Sequence, residues 1–246
     1  MSAVSGEAEI VILDRLITRW SRAKSLDIPA NLFPDTYLWS CGVLCVLLML
    51  AALLTAPWSK IRDSEAQHIF LGTIVMLSLL WVMRGGIQDG LSFHLLGMTL
   101  LCLMFERQFA LMAASLVVAI ATSQGPAGWE AFGVNLLLMG ALPILFTRLL
   151  LYLCQRRLPH NYFFYVFLNA FLAGGLSILL AGAASAWLQY TAGVQPAGSI
   201  ARNFLQILPL LMFGEAFING GAITLVVAYR PHWVATFHDS CYVKGK

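Results

Sequence analysis

Residues 85–98 read Gly85-Gly86-Ile87-Gln88-Asp89-Gly90-Leu91-Ser92-Phe93-His94-Leu95-Leu96-Gly97-Met98, a polar and glycine-rich run between two apolar stretches. Glycines at 85, 86, 90 and 97 interrupt any helical pattern, and Asp89 and His94 add ionisable groups to the interruption. The flanking stretches, 69–83 and 91–105, are apolar enough for a membrane. Both fall short of the roughly 20 residues that a helix needs to span about 30 Å of hydrocarbon. The run therefore predicts a re-entrant or broken-helix site, not a pair of uniform spans. Unwound backbone at membrane depth is tolerated only where protein buries it or where it lines a polar cavity.

Composition supports a bilayer on either side of this break. Of 246 residues, 59% are hydrophobic and 11% are charged, and the mean hydropathy is +0.78. A soluble domain carries about a quarter of its residues charged, so the missing charge points to a surface that meets lipid. Seven apolar segments follow, near 37–56, 69–83, 91–105, 109–122, 132–151, 162–188 and 204–229. The expected fold class is an all-α membrane protein of about seven transmembrane helices, some short or broken, preceded by an N-terminal amphipathic helix. Pro57-Trp58-Ser59-Lys60, Gly125-Pro126-Ala127-Gly128 and Arg156-Arg157-Leu158-Pro159 punctuate the connections.

None of these connections has room for a soluble domain, and no phosphate-loop glycine pattern occurs, so any energy source lies in another chain. Residues 1–36 are expected to form an interfacial segment: Ile10, Leu13, Leu16, Ile17 and Trp20 recur at helical spacing among arginines, with no signal-peptide pattern. Residues 37–229 form the polytopic membrane domain, and 230–246 a C-terminal tail anchored by Trp233, Phe237 and Tyr242. His68 and His160 are expected in loops that face water. On alternate sides of seven spans, Lys and Arg number six on the N-terminal side and nine on the other, which places the C-terminus in the cytoplasm. The net charge of +3 comes without a basic patch, which excludes nucleic acid as a partner and leaves membrane lipid. Five cysteines, four of them in or beside apolar runs, read as buried thiols without disulfide spacing.

Ionisable groups at membrane depth are functional candidates by default. Asp89 and His94 could face a cavity at the break, with Ser92 as polar support. If 91–105 is helical, His94, Met98 and Cys102 fall at i, i+4 and i+8 on one face, an imidazole, a thioether and a thiol that suit soft or borderline metals. Packing is the preferred reading of Met98 and Cys102, both common core residues, whereas for His94 a bond to a buried backbone carbonyl stands level with a ligand role. In Gly214-Glu215-Ala216-Phe217-Ile218-Asn219-Gly220-Gly221, Glu215 and Asn219 share a helix face within the last apolar segment. Glu215 is expected to act structurally, through a hydrogen bond or ion pair, with cation coordination as the alternative.

The run Ser92-Phe93-His94-Leu95-Leu96-Gly97-Met98-Thr99-Leu100 resembles the Ser-x-His-x-x-Gly segment of CbiM/NikM-type cobalt and nickel uptake permeases. The stretch from Gly214-Glu215 through Tyr229-Arg230-Pro231 is similar to that family's final helix, and Arg157-Leu158-Pro159-His160-Asn161-Tyr162-Phe163-Phe164-Tyr165 is a further shared stretch. The resemblance implies the substrate-capture component of an energy-coupling-factor transporter in a bacterial inner membrane. Such a component takes up a divalent metal ion with a transmembrane coupling subunit and paired ATPases, and holds no permanently bound cofactor. His94 would be the carried-over metal ligand.

One departure stands out. The family's metal-binding members begin Met-His and complete a nearly planar nitrogen site with that start, whereas this chain begins Met1-Ser2-Ala3. A planar nitrogen site selects by geometry, so its loss predicts abolished or redirected selectivity, with Asp89, His94, Met98 and Glu215 as the remaining donors. Cobalt or nickel is the expected cargo and copper the redirected one. The alternative is a transport-inactive scaffold or assembly factor in another membrane-protein complex. No catalytic motif matches, so the chain is not expected to be an enzyme.

Overall fold

The computed structural model describes residues 33–81, 95–124, 128–193, 198, 206–238 and 242, together with the backbone of 82, 85–88 and 91–93. Six long helices dominate: α1 (Asp35–Thr55), α2 (Ser64–Val82), α3 (Met98–Gln124), α4 (Trp129–Arg157), α5 (Tyr162–Thr191) and α6 (Leu208–Tyr229). All but α2 are long and apolar enough to cross a membrane, so five such helices occur among the described residues, and the all-α membrane class holds. The expected interfacial helix at the N-terminus, apart from the residues that open α1, lies outside the described residues.

Burial sorts these helices. In α1 only 17% of the apolar stretch is buried, and Trp39, Val46, Leu47 and Leu54 face outward. In α3 the share is 61%, which makes α3 the centre of the bundle and α1 its lipid-facing edge. The two helices that bracket the centre, α5 and α6, approach closely through glycines. A Cβ placed on Gly174 would lie 3.1 Å from the Glu215 carbonyl oxygen, and one on Gly175 3.1 Å from the Met212 carbonyl oxygen. Small residues of this kind let helix backbones meet where lipid supplies no hydrophobic force.

The stretch 91–105 is not a single helix, contrary to the sequence expectation. Gly85–Gln88 (β1) and Leu91–Phe93 (β2) pair antiparallel, with Gly86 opposite Ser92 and an irregular step between Gly86 and Gln88. The helix starts only at Met98, after Gly97 takes the left-handed φ of 66°. The helix that carries Met98 and Cys102 therefore does not extend back through residues 95–97, and His94 lies outside the described residues. A second break follows at Glu106 (φ 62°, ψ 172°), a non-glycine residue with positive φ that divides α3. Met98–Phe105 is thus a half-helix, and 107–124 is the long arm of α3.

Residues 230–238 do not hang free. Pro231–Trp233 forms a single 3₁₀ turn, after which Val234, Thr236 and Phe237 are buried beneath the half-helix. His160 is exposed between α4 and α5, as expected. His68 is also exposed but sits in the opening turns of α2 instead of a loop, its Nδ1 against the Ser64 carbonyl.

Candidate functional site

A helix leaves its first four N–H groups and last four C=O groups without internal partners, and at membrane depth water cannot supply them. The half-helix Met98–Phe105 meets this demand from other elements at both ends. At its N-terminal end, Leu96 N–H donates to Glu215 Oε2 and Gly97 N–H to Glu215 Oε1, each at 2.7 Å. Leu100 N–H donates to Asn219 Oδ1 at 2.7 Å. Asn219 Nδ2 in turn donates to Glu215 Oε1 and to the Glu215 carbonyl oxygen, both at 2.8 Å.

Glu215 and Asn219 lie one helical turn apart on α6, so one face of one helix supplies the entire cap. Both are fully buried. A carboxylate removed from water needs its oxygens filled, and here three N–H groups do so, at the end of a helix where the backbone dipole also favours negative charge. Each partner therefore meets the other's otherwise unmet need. The Glu215 carboxylate thus accepts from two backbone N–H groups of another element and from the Asn219 amide.

Leu96 is also held from its other side, where its carbonyl accepts from Trp81 Nε1 at 3.1 Å, near the end of α2. Gly97 must be glycine on two counts. Its φ is left-handed, and an added Cβ would overlap the Leu77 side chain. Behind the cap, Thr99 Oγ1 contacts Thr147 Oγ1 at 2.9 Å and Ser177 Oγ at 3.3 Å, tying the half-helix to α4 and α5. Cys102 Sγ points to the Ile144 carbonyl oxygen at 3.4 Å, so this thiol is a satisfied core group.

The C-terminal end is held differently. Met104 C=O accepts from Ala235 N–H at 3.0 Å, and Leu103 C=O accepts from Thr236 N–H at 3.3 Å and from Thr236 Oγ1 at 2.7 Å. Tyr165 OH meets Thr236 Oγ1 at 2.7 Å. At the surface beyond, Lys60 Nζ donates to Glu106 Oε1 at 2.8 Å. The half-helix thus begins beside Glu215, about a third of the way along α6, and ends level with residues that follow that helix.

The candidate ligands fare unequally. Asp89 and His94 lie outside the described residues. Ser92 is described for its backbone alone, in β2. Met98 is fully buried with Leu77, Trp81, Leu96 and Leu101 in the main apolar cluster, the packing alternative for this residue. Among the described residues no three His, Cys, Asp or Glu side chains gather to hold a metal ion. The residues that sequence reasoning passed over are Trp81, Thr99, Thr147 and Ser177. Their one signal was a polar group inside an apolar segment, and nothing in the chain order shows that such residues converge across 48 and 78 positions.

A half-helix that stops at membrane depth, capped by a carboxylate from a crossing helix, defines a multi-pass membrane protein built around an interior polar break. Comparison with known proteins gives the class a family. Residues 27–233 match the family described as CbiM, the cobalt uptake substrate-specific transmembrane region, and the chain belongs to it. Members of this family are transporters, not enzymes. Two crystal structures share the fold, one described as a transition metal transporter and one as a truncated transition metal transporter. The first is 19% identical with a TM-score of 0.67, over 82% of this chain and 93% of that one. The second is 19% identical with a TM-score of 0.68, over 83% of this chain and 99% of that one. No curated protein matches the sequence.

Proposed function

We propose that this protein is the membrane-embedded capture and permease component for a divalent transition-metal ion of the cobalt or nickel type, energised by a coupling subunit and ATPases on separate chains. The observation that carries the reading is the cap. Glu215 and Trp81 fix residues 96 and 97, the turn that begins two positions after His94, and Asn219 holds Glu215 and the Leu100 N–H in place. A metal ligand must be held to a fraction of an ångström, and its neighbours' hydrogen bonds do that holding.

His94 is the principal ligand in this scheme and Asp89 the second, with Ser92 as polar support, while Met98 packs in the apolar cluster and donates nothing to the ion. Cobalt or nickel is the first cargo and copper the alternative. Counting α2, and dividing α3 at Glu106 into its half-helix and its long arm, gives seven membrane segments. Lys60, Arg62, Arg107, Arg148, Arg156, Arg157 and Arg230 gather at the end of the bundle where the chain finishes, which supports a cytoplasmic C-terminus in a bacterial inner membrane.

Full-length protein purified in mild detergent should bind Co²⁺ or Ni²⁺ saturably by calorimetry, and His94→Ala should abolish that binding while leaving the melting temperature in place. Cells that express the protein with candidate coupling and ATPase chains should accumulate the same ion. Absence of saturable binding for cobalt, nickel and copper alike, together with recovery of a dominant membrane partner that is neither a coupling subunit nor an ATPase, would sink the transport reading in favour of a scaffold.

A further inference from the structure

Where α3 reverses at Glu106, a cavity of about 450 Å³ opens between the turn and α4, lined by Glu106, Arg107, Gln108, Leu145, Arg148, Leu149 and Tyr152. It lies at the end of the bundle that carries most of the described Lys and Arg residues. Arg107 and Arg148 come from different elements and point into one space. Among the described residues, neither forms an ion pair. The cavity's own carboxylate, Glu106, is drawn aside by Lys60, which donates to its Oε1 at 2.8 Å.

The remaining wall is apolar below and aromatic above. Leu145 and Leu149 are 40% and 56% exposed, one turn apart on the outward face of α4. Tyr152 follows within one turn, its ring held beneath the Arg156 guanidinium at 4.4 Å. Two cations over an aliphatic strip, at the edge of a membrane span, match a molecule with an anionic head and hydrocarbon tails. Guanidinium groups bind phosphate oxygens through paired N–H donors, and a lysine offers only a point charge.

The geometry points to a binding site for the headgroup phosphate of an anionic phospholipid, held by Arg107 and Arg148, with an acyl chain along Leu145 and Leu149. The headgroup would brace the turn that ends the half-helix. A free phosphate would use the same two arginines but would gain nothing from the leucines.

The test is lipid retention by the full-length protein, read by native mass spectrometry and by melting temperature after delipidation. Phosphatidylglycerol should remain bound and raise the melting temperature, whereas phosphatidylcholine at the same concentration should do neither. Arg107→Gln with Arg148→Gln should weaken phosphatidylglycerol binding about thirtyfold, roughly fivefold for each basic residue lost near a headgroup. Arg62→Gln with Arg157→Gln removes the same charge from the same end outside the cavity and should leave binding within about twofold of the parent. Equal retention of the two lipids by the unmodified protein overturns the proposal, as does an equal loss in the two double variants. An equal melting shift with inorganic phosphate alone overturns it in favour of a soluble anion.

Discussion

The two ends of the half-helix Met98–Phe105 solve one problem by different means. At the interior end a formal carboxylate, Glu215, reaches from α6 to take the N–H groups of Leu96 and Gly97. At the other end neutral groups, the Ala235 and Thr236 N–H and the Thr236 hydroxyl, take the carbonyls of Leu103 and Met104, and a solvent-exposed pair, Lys60 and Glu106, follows. The difference follows depth. Around the Lys60–Glu106 pair water can enter, and a lost bond is replaced at small cost. Where it cannot, each unpaired group costs its full desolvation, and one charged residue that satisfies two donors is hard to substitute.

The largest effect is expected of Glu215→Ala, which strands the Leu96 and Gly97 N–H groups and one N–H of the Asn219 amide, whose other bond, to the backbone carbonyl of residue 215, remains. It should destabilise the protein by about 3–5 kcal/mol, the range for removing one side of a buried charged contact. Glu215→Gln keeps one good acceptor and should cost about half of that. Thermal unfolding in detergent checks both, and an unchanged melting temperature for Glu215→Ala would show that the interior end needs no cap. Gly97→Ala forces a left-handed φ on a Cβ that meets Leu77, with an expected loss of about 2–4 kcal/mol. Shortening Leu77 in the same chain should recover the steric part and leave the conformational part.

At the far end the effects should shrink. Thr236→Val removes one hydroxyl shared by Leu103 and Tyr165, and a loss of about 1 kcal/mol is expected in the same assay. Lys60→Ala should cost less than about 1 kcal/mol because the pair is exposed, and added salt should erase the difference. If Lys60→Ala rivalled Glu215→Ala, depth would not be the governing variable.

The smallest effect is one of pH. Glu65 accepts from Trp233 Nε1 at 2.8 Å, with His232 Nε2 at 3.4 Å from the same oxygen. The Trp233 bond first, and His232 second, hold its carboxyl below the ordinary value of 4.5. A depressed carboxylate lends stability that is complete above the unfolded value and fades as pH falls through the lower folded one. In a His232→Gln background, which removes the neighbouring imidazole, Trp233 emission taken as the difference from Trp233→Phe should stay constant from pH 7 to about 5 and shift only in stronger acid. A shift already complete at pH 5 would show that the bond does not favour the ionised form.

Much of the bundle was legible in the chain. Apolar length alone placed the segments that became α1, α4, α5 and α6, because a helix needs a fixed rise to cross hydrocarbon. The polar break was also legible, since glycines and ionisable groups have no other reason to interrupt apolar sequence. The error at 91–105 has a specific cause. Apolar runs of this length do not distinguish a helix from a short extended segment that turns into one, and the left-handed φ at Gly97 is set by Leu77 and Glu215, residues 20 and 118 positions away.

By itself, then, the sequence determined the solvent and the class: too few charges for water, and a polar run that must be buried. It also singled out Glu215 and Asn219 as a buried polar pair on one helix face. Only the tertiary structure decided their partners. The N–H groups they serve belong to the start of another helix, and no local pattern can announce that need, because every helix has such an end and most leave it to water. Glu215 is needed at this one because the end lies inside the bundle, a fact of packing between α3, α5 and α6.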